Sequence, residues 1–249
     1  MRRGRDVLCT AYLTARPDPQ RGHQVRRDWF GYIRTWWTSV HGLGLRAVIL
    51  HDELSPAFVR RYTTDLVRFV RIEPYPWSPN DQRFFAYRDL IARGRYDRAF
   101  LTDVADVRVV RDPFPVLEAL ATPLVVGDEV YAAPIGVQIR THPWLMRKVR
   151  ETRGGRSSVV YRFFRRHGFD HSTLNAGVIG GRAPELLEFL ERFVRVRRTI
   201  GHPERNLNMP VVNYVLHRFF PGRFHHGAPV TSRFKGYERH RRDVCFIHK

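Results

Sequence analysis

The chain has 249 residues, with 43 Lys+Arg against 24 Asp+Glu and a formal net charge of +19. Hydrophobic residues supply 43% and aromatics 13%, which excludes a disordered basic tail and suffices for a packed α/β core. No stretch approaches the ~18 uncharged apolar residues of a bilayer-crossing helix, and two cysteines, Cys9 and Cys245, are too few for a disulfide framework or a four-thiolate zinc site.

Both thiols read as buried and reduced in a cytoplasmic protein. The positive charge is nearly all arginine: Lys148, Lys235 and Lys249 are the only lysines, leaving 40 Arg among the 43 basic residues. A GC-rich codon bias explains Arg over Lys. It does not explain positive over negative, and a field of this sign attracts phosphate, nucleic acid or an anionic membrane.

The opening Met1-Arg2-Arg3-Gly4-Arg5 before Val7–Leu13 superficially suggests a signal peptide, but Asp6 and Thr10 interrupt the apolar run. The segment reads instead as a first strand, Val7–Thr14, with a Pro/Gly loop through Arg21 and Gly22 behind it. Trp29, Ile33, Trp36, Trp37 and Val40 recur at helical spacing, and Gly42 and Gly44 close that helix. Arg46–Leu50 is a short buried strand, Ser55-Pro56 opens a helix, and Leu66–Ile72 alternates like a half-exposed strand. After a proline loop, Asn80-Asp81 begins another helix. Strands follow at Ala99–Leu101, Pro123–Gly127 and Leu174–Ile179, then helices at Pro184–Val196 and Pro210–Phe219.

Strands alternating with helices imply one domain over residues 1–249, with a mainly parallel sheet covered on both faces. Ligands of such sheets sit at the carboxyl ends of the strands. Residues 147–166 hold eight basic side chains and one acid, Glu151, together with Gly154-Gly155 and Ser157-Ser158, and read as a basic loop or lid.

The sharpest chemical signal is Phe100-Leu101-Thr102-Asp103-Val104-Ala105-Asp106, followed by Asp112-Pro113. An apolar strand runs straight into two carboxylates, the donor type that Mg²⁺ or Mn²⁺ takes beside substrate phosphates. This segment resembles the metal-binding aspartate motif of GT-A fold glycosyltransferases, the nucleotide-sugar-dependent enzymes. The spacing is Asp-x-x-Asp, one residue longer than the usual form, while Asp106 keeps the family's distance to Asp112-Pro113.

Three further pieces stand in the family's order. Asn175-Ala176-Gly177 is similar to the strand lining the sugar pocket. Asn208 stands where many members carry an acid at the start of a helix. Phe246-Ile247-His248 resembles the late apolar-His element that completes the metal site in some members. The resemblance implies a GT-A, Rossmann-like fold, a nucleoside-diphosphate-sugar donor, and Mn²⁺ or Mg²⁺ on Asp103, Asp106 and His248.

It further implies donor contacts from Thr10 and Arg21 in the first-strand loop and from Arg83 and Arg88 beside the diphosphate, together with Asp103, Asn175, Ala176 and Gly177, while Asp52, after the second strand, could bond the base or ribose or simply cap the next helix. An inverting reaction would need a base, for which Asp128, Glu129 and Asp170 are the candidates. A retaining one would not.

The resemblance also implies that the 147–166 segment faces the acceptor. It interleaves Tyr161, Phe163 and Phe164 with arginines, which suits a phosphate backbone and an exposed base. The expected acceptor is therefore a polyanion, with DNA carrying a hydroxymethylated base ahead of a lipid-linked or cell-envelope glycan at an anionic membrane. Two other classes fit less well. A non-catalytic nucleic-acid-binding protein has no use for Asp103, Asp106 or the Asn-Ala-Gly strand, and a nucleotidyltransferase would carry a glycine-rich phosphate loop after the first strand.

Overall fold

The computed structural model describes residues 5–18, 22–129, 138–153, 158–168, 170–236 and 238–249. It alternates strands and helices as expected. The elements are β1 (Val7–Tyr12), β2 (Pro17–Asp18), β3 (His23–Gln24), α1 (Phe30–Gly42), β4 (Ala47–His51), α2 (Pro56–Tyr62), β5 (Val67–Arg71) and α3 (Pro79–Arg93), then β6 (Arg98–Thr102), β7 (Val107–Val109), α4 (Phe114–Ala119) and β8 (Leu124–Glu129). A 3₁₀ turn at Ile139–Thr141 leads into α5 (Pro143–Glu151), α6 (Ser158–His167), β9 (Leu174–Arg182), α7 (Ala183–Ile200), α8 (Asn208–Phe219), β10 (Phe224–His226), β11 (Arg233–Phe234) and β12 (Phe246–His248).

The main sheet runs in the order β10-β8-β9-β6-β1-β4-β5, with β11 added on β8. Its pairings are parallel except those of β9, which lies antiparallel to both β6 and β8. Side chains alternate across the sheet as its two-residue period demands. Cys9, Val48, Leu50, Leu101 and Val126 face one core with α3, α7 and α8, whereas Leu8, Ile49, Phe100 and Val125 face the other with α1, α2 and α4. Both Cys9 and Cys245 are free, buried thiols, and burial pushes Cys9 up to about 12.

One sequence expectation is corrected here. Where described, the stretch read as a basic loop or lid is helical: α5 and α6 pack Leu145, Val149, Val160 and Phe164, all fully buried, into the core under α8. The apolar residues recur at helical spacing between the arginines, and the dense charge hid that period. Among the described residues, no helix is long and apolar enough to cross a membrane.

Two side chains carried by helices tie the frame together where it will matter. Asp81 and Arg197 are both fully buried and meet at 2.7 Å. Arg197 also donates to the carbonyls of His202 and Arg205, each at 2.9 Å, while Asp81 accepts from the Leu207 N–H. The connection from α7 into α8 is thereby pinned to the start of α3. Burial pushes the Asp81 carboxyl up, and the Arg197 charge opposes that shift.

Candidate active site

The carboxyl ends of β6 and β8 and the amino end of the antiparallel β9 meet at a cleft of about 460 Å³ lined by Arg83, Asp103, Asp106, Glu129, Gly177 and Asn208. A smaller hollow of about 70 Å³ continues from it past Ala11, Asp18, Tyr32 and Asn80, sharing the two aspartates and Arg83. The strands end here because polar residues replace the apolar run: β6 stops at Thr102, and Asp103-Val104-Ala105-Asp106 turns back into the short β7.

The turn is held on three sides. The Asp103 N–H donates to Gly177 O at 2.8 Å, the Lys249 N–H donates to Asp106 O at 2.9 Å, and Arg83 forms an ion pair with the Asp103 carboxylate. β12 pairs antiparallel with β7, setting His248 opposite Val107. That register carries the His248 ring to the aspartate turn, with Nε2 3.9 Å from Asp103 Oδ2.

His248 is 1% exposed, and among the described residues neither ring nitrogen has a hydrogen-bond partner. Its backbone N–H is fixed by Ser232 Oγ at 2.8 Å, and Phe234 packs on the ring at 4.5 Å. Burial and, secondarily, the Arg83 charge push its pKa down to about 3, so the imidazole is neutral near pH 7. Gly177 makes the approach possible. A Cβ there would meet His248 Cε1, would come within 2.6 Å of Nε2, and would lie 2.8 Å from Asp103 Oδ2. Among the described residues, no three His, Cys, Asp or Glu side chains already form a group that could hold a metal ion, and Arg83 occupies Asp103 instead.

On the opposite wall, Glu129 is nearly buried, accepts from Asn175 Nδ2 at 2.5 Å and stands 3.9 Å from His142 Nε2. Asn175 Oδ1 accepts from the Gly177 N–H at 2.7 Å. Ala176 is held from both sides: its N–H donates to Met209 Sδ at 3.3 Å and its carbonyl accepts from Arg83 Nη2 at 3.3 Å.

No protein-family model matches this sequence, and no curated protein does. Among solved structures, the chain aligns with the galactosyltransferase LgtC, crystallised with donor and acceptor sugar analogs. The TM-score is 0.56 at 12% identity, over 97% of this chain and 86% of that one. The fold is GT-A. At that identity the likeness is one of architecture, and it matches the mostly parallel, Rossmann-like sheet read from the sequence.

Within this GT-A frame the cleft brings together Asp103, Asp106, Arg83, Asn175, Ala176, Gly177, Glu129 and Asn208, with His248 walled in beside them. Several other expected residues lie elsewhere. Thr10 is buried within the sheet, where its hydroxyl donates to Thr102 O at 2.8 Å, because it falls on an inward-facing strand position. Asp52 is buried and accepts from the N–H groups of Thr14, Ala15 and Glu53, so it anchors the first-strand loop and does not line the cleft.

Arg88 pairs with Asp89 away from the site. Five residues on a helix turn through about 140° beyond a full revolution, which sets Arg88 on a different face from Arg83. Asp128 and Glu129 are strand neighbours and face opposite ways: Asp128 bonds His226 Nδ1 at 2.6 Å, outside the cleft. Asp170 is exposed beside His167 and does not line the cleft. Asn175 lines it, but its amide is engaged with Glu129 and Gly177. Arg21 lies outside the described residues.

Sequence reasoning passed over Asp18, Asn80, His142, Trp144, Phe234 and Lys235, all of which line the cleft. Asn80 Nδ2 donates to Asp18 Oδ1 at 3.1 Å, closing the wall between α3 and β2. Lys235 has φ 59°, the left-handed region that favours glycine. No local pattern marks these residues, because the loops bearing them become adjacent only once the sheet forms.

Proposed function

We propose that this chain transfers a sugar from a nucleoside-diphosphate sugar to an acceptor hydroxyl, with a divalent cation as cofactor. One observation carries the reading: a buried histidine with both nitrogens unsatisfied stands against a two-aspartate turn, over a glycine whose Cβ would fill the gap. Buried polar atoms are rarely left without partners, and such an exception calls for a missing one. Two carboxylates and a neutral imidazole suit Mn²⁺ or Mg²⁺. Asp103, Asp106 and His248 would hold it. A bound cation there would neutralise charge developing on the departing β-phosphate.

The remaining steps belong to the chain's own groups. Arg83, which stands against the Asp103 carboxylate and the Ala176 carbonyl, would offer its planar fork to the diphosphate oxygens. Asn175 and Met209 hold the Ala176-Gly177 backbone against the sugar. Trp144 and Phe234 bound the acceptor side of the cleft and exclude water from it. Glu129, of the three candidate carboxylates, is the one beside this space, and it would take the acceptor proton if the reaction inverts configuration.

For the acceptor we favour a polyanion, with DNA bearing a hydroxymethylated base as first choice. The support is position: Trp144, in the cleft, belongs to α5, and α5 and α6 expose Arg147, Arg150, Arg162, Arg165 and Arg166. Radiolabelled nucleotide sugars, with and without manganese, test the chemistry. We expect manganese-dependent release of sugar, lost at least a hundredfold in Asp106→Asn. Offering hydroxymethylated DNA, unmodified DNA and acidic lipid vesicles tests the acceptor. Transfer to vesicle lipid and none to DNA overturns the DNA choice, and turnover indifferent to Asp106→Asn overturns the function.

A further inference from the structure

The opposite end of the sheet carries a second recess. Val7, Ala47 and Leu66, at the amino ends of β1, β4 and β5, line a hollow of about 530 Å³, and a neighbouring one of about 470 Å³ shares Arg68, Arg93, Gly94 and Tyr96 with it. The two run together between α3 and β5, which forms one edge of the main sheet. The floor is apolar, including Val48, Leu50, Val70 and Leu90. The rim draws arginines from three sequence-distant segments: Arg46 before β4, Arg68 and Arg71 on β5, and Arg93 and Arg95 around the end of α3.

The local acids do not cancel this charge. Arg98 engages Asp6 through hydrogen bonds of 2.9 and 2.7 Å, and Asp89 is taken by Arg88 and Tyr75. Asp65 and Glu73 remain along the walls. Arg46, Arg71, Arg93 and Arg95 make no ion pair among the described residues. Like charges gathered around one hollow repel one another unless an anion joins them.

We propose that this groove binds the phosphodiester chain of a single-stranded nucleic acid. Guanidinium forks suit phosphate oxygens, and Tyr75 and Tyr96 lie along the groove as faces on which unpaired bases can stack. The concave form favours a thin chain. A flat bilayer would meet the rim and leave the apolar floor empty, and a duplex is too broad to enter. The inference goes beyond sugar transfer and does not rest on it, since no residue that lines the groove also lines the cleft.

The experiment is fluorescence anisotropy of a labelled single-stranded oligothymidylate over about 50–200 mM salt. It compares the intact protein with Arg46→Ser/Arg93→Ser/Arg95→Ser, none of which lines the cleft. Each lost phosphate contact lowers the salt slope by about 0.7 for a single strand. We expect a slope shallower by about 2, at least tenfold weaker binding at low salt, and unchanged thermal unfolding and nucleotide-sugar hydrolysis. Photocrosslinks to Tyr75 or Tyr96 would further support the site. Unchanged affinity and slope in the triple variant overturns the proposal, whatever substitutions on α6 do. So does wild-type protein that binds phosphatidylglycerol vesicles and ignores the oligonucleotide. Nucleotide-sugar hydrolysis, read in parallel, reports on the cleft independently.

Discussion

Gly177→Ala is a change whose sign depends on the site being built as described. Gly177 is absent from the positive-φ positions, so its backbone accepts alanine without strain. Reduced freedom of the unfolded chain would then stabilise the variant by about 0.4–1 kcal/mol. The new methyl, however, would sit 2.6 Å from His248 Nε2 and 2.8 Å from Asp103 Oδ2. Neither neighbour yields easily: His248 is held through its backbone by Ser232 and walled by Phe234, and Asp103 is bonded to Gly177 itself. Overpacking of this kind costs about 1–3 kcal/mol. The expected net is a loss of about 1–2 kcal/mol, or a melting temperature lower by about 3–6 °C for a chain of this size. Circular dichroism melts read it directly. Gly42→Ala is the control: at the end of α1 nothing lies within 4 Å of the added Cβ, and a gain of about 0.5–1 kcal/mol is expected. If both variants melt higher, His248 and Asp103 do not converge on Gly177, and the proposed cation site loses its geometric basis.

Two further perturbations test the frame. Removing one partner of the fully buried Asp81–Arg197 pair should be severe. Arg197→Met is expected to cost about 3–5 kcal/mol in urea unfolding, because Asp81 keeps its burial and loses its countercharge; a loss below about 1 kcal/mol would mean that the pair is solvated. The second concerns acid. His217 donates toward Ser172 O at 2.9 Å and is stacked on His171 at 4.3 Å. Burial, then the His171 charge, lower it from 6.5 to about 4. The unfolded chain therefore binds the proton that the folded chain refuses. Stability from this group is complete above about pH 6.5 and drains as pH falls toward 4, by up to about 3 kcal/mol. His51 and His171, also lowered, act in the same sense. His217→Gln, which keeps a donor for Ser172 O, should flatten the pH dependence of unfolding between those limits; an equally steep acid loss would place the titration elsewhere.

How much of this was legible beforehand follows from the range of the interactions involved. The strand ending in Asp103 and the run around Asn175 announce themselves because a buried strand must be locally apolar and a strand end at the ligand side must turn polar. Arg83 and Arg88 were indistinguishable as sequence, since both stand on one helix and only the angle between them decides which reaches the cleft. Asp128 and Glu129 posed the same problem on a strand, where adjacent side chains face opposite ways. α5 and α6 escaped because their apolar residues are spaced among arginines dense enough to look like a solvated loop. His142, Trp144 and Lys235 had no local signal at all.

His248 is the instructive case. It stands 145 positions from Asp103, and three residues of β12 bring it home by pairing with β7. The consequence is electrostatic. The cleft of this strongly basic chain gathers Asp18, Asp103, Asp106 and Glu129 against Arg83 and Lys235, so it presents more carboxylates than cations in a protein whose net charge is +19. A diphosphate would be repelled by such a lining on its own, and the long-range field of the arginines is screened within about 10 Å at ordinary ionic strength. The sugar-transfer reading therefore requires the sign of the cleft to be reversed locally, by a cation seated on the aspartates. The arginines around the proposed groove between α3 and β5 do not offset that lining, since no residue is shared between the groove and the cleft.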